Sequence, residues 1–104
     1  MVFGLFVRFT CKDEDAARAF DQLVDETLPS IRQREPGTLA YEIHAVEGKP
    51  IQRVFYELYR DRDAFDTHEE QPHTRRFLAE REQYLASVDV DFLTLRAGKR
   101  TAGR

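Results

Sequence analysis

"TLAYEIHAVEGKPIQRVFYELYR", residues 38–60, decides the fold. Two runs of alternating side chains, 38–46 and 51–60, flank "EGKP" (47–50), which is turn chemistry. A period of two marks a half-buried strand, so the stretch predicts a β-hairpin. Upstream, "VFGLFVRFT" (2–10) sets Phe3, Leu5, Val7 and Phe9 on one side and Val2, Gly4 and Phe6 on the other. A strand apolar on both sides calls for cover on both. In "KDEDAARAFDQLVDETLPSIRQRE" (12–35) the period changes. Ala16, Phe20, Leu23, Val24, Thr27, Leu28 and Ile31 recur at three and four, as in an amphipathic helix. Asp13 or Asp15 is placed to cap it, Pro29 to kink or trim it, and "EPG" (35–37) to end it.

Downstream of the hairpin, "DRDAFDTHEE" opens on Asp61 or Asp63 as a cap and predicts a short helix. Pro72 starts a second helical piece reaching about Ser87, with Phe77, Leu78, Arg81, Tyr84 and Leu85 facing inward. "VDVDFLTLRA" (88–97) reads as the last strand. The order β-α-β-β-α-β, its second helix broken near Gln71–Pro72, is the ferredoxin-like α+β plan: a four-stranded antiparallel sheet with both helices on one face. One domain over residues 1–97 and a basic tail over 98–104 are expected. The other sheet face would be too apolar for a soluble monomer, so a homodimer joined through its sheets, a dimeric α+β barrel, is expected as well.

Composition narrows the partners. A formal charge of -3 and a pI near 5.6 argue against nucleic acid, which needs a basic face; Lys99, Arg100 and Arg104 read as a solvated end. The single cysteine, Cys11, has no internal disulfide partner, and a reducing, cytoplasmic setting is the expectation. It reads as a small strand-end residue rather than a nucleophile. No apolar run approaches the ~20 residues that span a bilayer, and Arg8 interrupts the opening "MVFGLFVRF", so neither a membrane partner nor a signal segment is expected.

Two longer stretches carry a resemblance. "REPGTLAYEIH" (34–44) followed by "FYELYRDRDAFDTHEEQPHTRRF" (55–77) is similar to the antibiotic biosynthesis monooxygenase (ABM) family of dimeric α+β barrel proteins. Glu35–Pro36–Gly37, Tyr41, His44, Glu57, Tyr59, Asp61, Ala64, His68, Pro72 and His73 fall on the family pattern, and the likeness runs over about residues 2 to 96. It implies a monooxygenase that uses no cofactor and no metal. A small quinol, phenol or anthrone, once deprotonated, reacts directly with dioxygen to give a quinone. Such chemistry asks for an apolar cavity, a proton acceptor, and donors for the developing oxyanion. Haem-degrading relatives resemble one another in an Asn, a Trp and a His around the porphyrin; this chain has neither Trp nor Asn. The family's strand-end Trp is Tyr59 here, and Phe55 stands where some quinone-forming members place an Asn.

Four residues are the candidate catalytic groups. His68 and His73 lie five apart with Pro72 between, unlike the H-E-x-x-H helix of a zinc site, so this pair is not expected to hold a metal. They either tie down the helix break or, for His68, supply the cavity-side histidine that the resemblance implies. Glu57 alternates with Phe55 and Tyr59; burial among rings would raise its pKa and make it a base, while an ion pair with Arg53 or Arg8 is the structural alternative. His44, on the strand face opposite Tyr41 and Ile43, is either a proton acceptor or a solvent-facing residue. The expected division of labour makes His44 or His68 the acceptor, Glu57 its orienter or an alternative base, and Tyr59 a substrate-facing donor. Two other functions suit the same residues: a cofactor-free isomerase or cyclase, and a non-catalytic binding or stress-response dimer whose interior is closed by Phe3, Phe6, Phe9, Phe55 and Phe92.

Overall fold

A computed structural model describes residues 2–101 of the chain; Arg104 of the basic tail lies outside them. Strand β1 (Phe3–Cys11) leads into helix α1 (Glu14–Arg34), the hairpin β2 (Thr38–Val46) and β3 (Lys49–Tyr59), helices α2 (Arg62–Glu70) and α3 (Pro72–Glu80), a 3-10 turn (Arg81–Tyr84), and β4 (Leu85–Leu93). The sheet order is β2-β3-β1-β4 and every pairing is antiparallel. This is the expected ferredoxin-like α+β architecture.

Local chemistry explains most boundaries. The Asp13 carboxylate caps α1 by accepting from the Ala16 N–H at 2.7 Å, and Asp61 caps α2 from the Ala64 N–H at 2.8 Å. Pro29 neither ends nor shortens α1, which runs on to Arg34. It lies on the exposed side, where water can serve the carbonyl that its missing N–H leaves free. In the hairpin, Val46 pairs with Lys49, so the turn is Glu47–Gly48 alone, and Gly48 supplies the positive φ of 76°. Gly37 has a different role. A Cβ there would sit 2.7 Å from Ala64 Cβ, so glycine is what lets the start of β2 close against α2.

The last strand differs from expectation. Helix α3 stops at Glu80, and β4 occupies 85–93 rather than 88–97. The pairing of Cys11 with Leu85, and the Lys12 N–H donated to Tyr84 O at 2.9 Å, fix the strand's start from β1. Such a long-range constraint outweighs the helical period read into Tyr84 and Leu85.

The helices cover one sheet face. Leu5, Val7 and Phe9 of β1 and Phe55 of β3 are buried there, with Phe9 4.5 Å from Phe55 and 5.0 Å from Phe20 between ring centroids. Phe77 of α3 closes the cluster, 5.8 Å from Phe20. Arg53 binds both oxygens of Asp21 at 2.8 and 2.9 Å, pinning β3 to α1. The opposite face is mixed. Phe6 and Leu93 are exposed and Tyr56 is half-buried, but Arg8, Glu42, His44, Asp89 and Asp91 share their side. Among the described residues no helix is long and apolar enough to cross a membrane.

Candidate functional site

The end of α1 and the break between α2 and α3 meet at one carboxylate. Glu35 is the C-cap of α1 and is buried; Pro36–Gly37 turn the chain so that the Thr38 N–H donates back to Glu35 O at 3.1 Å. The Thr38 hydroxyl donates to Glu35 Oε1 at 2.7 Å. From the other side His68, in the last turn of α2, sets Nδ1 2.7 Å from Glu35 Oε1, and His73, in the first turn of α3, sets Nε2 against Oε2. Burial pushes the Glu35 carboxyl up, but hydrogen bonds from His68, Thr38 and His73 outweigh it and hold the group below its ordinary value. An ionised carboxylate only accepts, so both ring nitrogens facing it carry hydrogen. A neutral His68 then presents a bare Nε2 on its other edge. The two histidines thus converge on one acid, and among the described residues no group of three or more His, Cys, Asp or Glu side chains is arranged to hold a metal ion.

A second buried pair lies on β3. The Tyr59 hydroxyl donates to Glu57 Oε1 at 2.6 Å, and its ring packs 5.3 Å from that of His68. Burial raises the Glu57 carboxyl above its ordinary value, despite the opposing pull of the Tyr59 hydrogen bond and of His68. Neither expected ion pair forms: Arg53 is bound to Asp21, and Arg8 donates to Gln52 from the opposite sheet face. Tyr59, expected as a substrate-facing donor, is fully buried with its hydroxyl donated to Glu57, and it does not line the cavity between the sheet and the helices. The cavity-lining tyrosine is Tyr41, its ring 5.4 Å from His68 and its phenol held well above the ordinary value by burial and the Glu57 charge.

A cavity of about 140 Å³ between the sheet and the helices joins these groups. Its polar lining includes Tyr41, Glu57, His68, Thr74 and Arg81, set among Leu5, Phe9, Phe77 and other apolar side chains. Val90 and Phe92 of the edge strand β4 line it too, and Phe92 is 59% exposed, which puts the mouth at that edge. Beside it the exposed guanidinium of Arg62 lies 4.9 Å from the Phe3 ring centroid, 5.7 Å from Phe65 and 5.9 Å from Phe92. Two polar atoms in the lining, Thr74 Oγ1 and Arg81 Nε, are buried without a hydrogen-bond partner. A larger groove of about 710 Å³ runs between α1 and β2, but it is open to solvent and lacks His68 and Glu57; it shares only Glu35, Tyr41 and their neighbours with the site.

Of the four candidates, Glu57, Tyr59 and His68 come together. His44 does not: it pairs with Val54 and projects, exposed, from the sheet face away from the helices. The orienter of His68 is Glu35, not Glu57. Glu35 stands in "EPG", which reads as a helix stop and falls on the family pattern but gives the residue no role in the site, and Thr74 carries no signal at all.

The family model for antibiotic biosynthesis monooxygenase matches residues 3–80. The chain belongs to this family. Among solved structures, it is similar to Rv0793 from Mycobacterium tuberculosis, at 26% identity and a TM-score of 0.86 over 96% of this chain and 100% of that one. It is also similar to PA3566 from Pseudomonas aeruginosa, at 25% identity and a TM-score of 0.82 over 92% and 95%. A structure described as an antibiotic biosynthesis monooxygenase shares the fold at 24% identity and a TM-score of 0.82, over 91% and 99%. No curated protein matches the chain significantly. The ABM match takes in every element from β1 to α3, and with them Glu35, Glu57, His68 and His73; Arg81 and β4 lie beyond it.

Proposed function

We propose that the chain oxidises a single-ring quinol or phenol with dioxygen, without a cofactor, in the cavity between sheet and helices. One observation carries the reading: the Glu35–His68 pair, a buried carboxylate holding an imidazole by Nδ1, stands at the wall of an aromatic-lined cavity. A carboxylate behind a histidine fixes its tautomer and raises the basicity of the other nitrogen. His68 Nε2 takes the hydroxyl proton, and the electron-rich ring gives an electron to dioxygen. The resulting radicals join at the ring carbon opposite the oxygen. The peroxide then loses water, using the proton from that carbon and the one held by His68. For a phenol with hydrogen on that carbon the sum is phenol plus dioxygen to quinone plus water. In a hydroquinone that carbon carries the second hydroxyl, whose proton leaves with the peroxide, and the sum is quinol plus dioxygen to quinone plus hydrogen peroxide. Glu57, its carboxyl raised by burial, is a second acceptor within the same wall.

The cavity volume favours one ring over an anthrone, since an apolar cavity of about 150 Å³ takes one benzene. Phe9, Phe55 and Phe77 pack among themselves, but Phe92 at the cavity mouth is exposed and the interior is not closed, which speaks against a purely structural barrel; Phe6 lies on the other sheet face. Homodimerisation belongs to the same proposal: exposed Phe6 and Leu93, with Tyr56 between β1 and β2, form the apolar part of a face on which Arg8 and Asp89 offer opposite charges. Sedimentation of the full chain at micromolar concentration tests that part. The decisive experiment is oxygen-electrode screening of metal-free, flavin-free protein. Uptake with methyl- and methoxy-hydroquinones or simple phenols is the expected result; no uptake with any of them, or uptake unaffected by His68→Gln, refutes the assignment.

A further inference from the structure

The two buried polar atoms in the cavity lining point to the kind of ring it takes. A threonine inside a helix ordinarily satisfies its hydroxyl on the carbonyl one turn back, as Thr27 does here on Leu23 O at 2.8 Å. Thr74, only 2% exposed, is in the first turn of α3, where no carbonyl of that helix lies one turn back; its Oγ1 has no partner, and the residue lines the cavity. About two turns further along, just past the end of α3, Arg81 lies with its guanidinium 5.3 Å from the Phe9 ring and 5.6 Å from Phe77, its Nε buried and unpartnered. Among the described residues Arg81 forms no ion pair, although Arg18, Arg53, Arg60, Arg62 and Arg76 all do. A half-buried guanidinium that rests on two aromatic rings, leaves its Nε without a partner and has no carboxylate within ion-pair distance is suited to receive an anion from a ligand. The nearby acids act on the guanidinium without pairing with it: Glu57 is committed to Tyr59, Glu69 lines the cavity but is exposed, and Glu82 is exposed.

We infer that Arg81 and Thr74 form an anion subsite, and that the ligand is a single aromatic ring carrying a carboxylate as well as the hydroxyl handled by His68. The inference rests on reading this cavity as the ligand site. The guanidinium fork matches a carboxylate and rests on apolar rings without losing its charge, and the threonine hydroxyl adds a third donor. The volume of about 140 Å³ leaves space for one ring between this subsite and the Glu35–His68 pair. Within the phenols and quinols of the proposed function, the preferred ligands are therefore the hydroxybenzoates, with uncharged rings accepted less well.

Calorimetric titration of the full chain with 3-hydroxybenzoate, whose ring carbon opposite the hydroxyl carries hydrogen, and with 3-hydroxybenzamide, its uncharged counterpart, tests this without any need for turnover. The acid is expected to bind at least about tenfold more tightly than the amide, a factor worth about 1.4 kcal/mol. Arg81→Met should abolish that preference, Arg81→Lys should keep part of it, and Thr74→Val should lower the affinity for the acid severalfold. Equal binding of acid and amide by the unaltered protein overturns the proposal, whatever the variants do, and so does an acid preference that survives Arg81→Met. Oxygen uptake separates the two readings. Tight, Arg81-dependent binding of the acid with no uptake keeps the subsite and removes the oxygenase; uptake with uncharged quinols and no acid preference does the reverse.

Discussion

His68 Nδ1 lies 2.7 Å from Glu35 Oε1 although the two residues are 33 positions apart, and His73 reaches the other oxygen of the same carboxylate. One acid thus holds the end of α1, the end of α2 and the start of α3. The geometry that readies an imidazole for proton transfer is also a structural joint, and the two roles separate under test.

The joint is pH-sensitive. Glu35 is held below its ordinary carboxylate value in the folded protein, so at acid pH the unfolded chain binds more protons than the folded one. Its stabilisation is present above the unfolded carboxylate range and is lost as pH falls through the folded value. Urea denaturation midpoints at a series of pH values should fall on the acid side of about pH 4.5. In Glu35→Ala, which strands two ring N–H donors, stability at neutral pH should drop by about 3 kcal/mol, with a flatter acid limb.

Glu57 works in the opposite sense. Burial raises its carboxyl, so the folded protein holds that proton more tightly and stability falls as pH climbs from the unfolded to the folded value. Glu57→Gln keeps an oxygen for the Tyr59 hydroxyl and removes the buried charge. It should raise neutral-pH stability by about 1–2 kcal/mol and flatten the decline above pH 5. A loss of stability at pH 7 would show that the carboxylate is matched by a donor other than Tyr59.

The two histidines first considered as bases should behave differently. His68→Gln is expected to cut turnover of an accepted phenol by about 10²–10⁴-fold, the usual worth of a positioned acid–base group. His44→Ala, on the far sheet face, should leave kcat within about twofold. Nitrogen-15 spectra of labelled histidines offer a check that needs no substrate. His68 should appear as the Nδ1–H form, and His73→Phe, which frees one oxygen of Glu35, should let the Nε2–H form in.

Gly37→Ala tests the joint from the backbone side. The added methyl carbon would lie 2.7 Å from Ala64 Cβ, so β2 and α2 must separate. A cost of about 1–3 kcal/mol is expected in the denaturation midpoint, and Gly37→Ala combined with Ala64→Gly should recover most of it.

These residues show what one sequence discloses. The alternation over 38–60, the caps at Asp13 and Asp61, and the faces of β3 were legible because each is local chemistry. Period two even separated His44 from Tyr41, but a single strand does not say which side the helices will cover. Glu35 was less accessible. Its partners sit 33 and 38 residues away, and "EPG" reads equally well as punctuation. Arg81 faces inward as its helical spacing predicts, but its seat on Phe9 and Phe77 is a tertiary contact that no local pattern announces. The start of β4 was misplaced because its register belongs to β1, not to its own side chains.

Arg62, posted over Phe3, Phe65 and Phe92, bears on how quickly a guest arrives rather than how tightly it is held. A solvated cation at a hydrophobic doorway, paired only across 3.7 Å with exposed Asp66, keeps part of its pull on anions on a chain of net charge -3. Capture of a negatively charged ring should therefore slow as ionic strength rises, while its residence time barely changes.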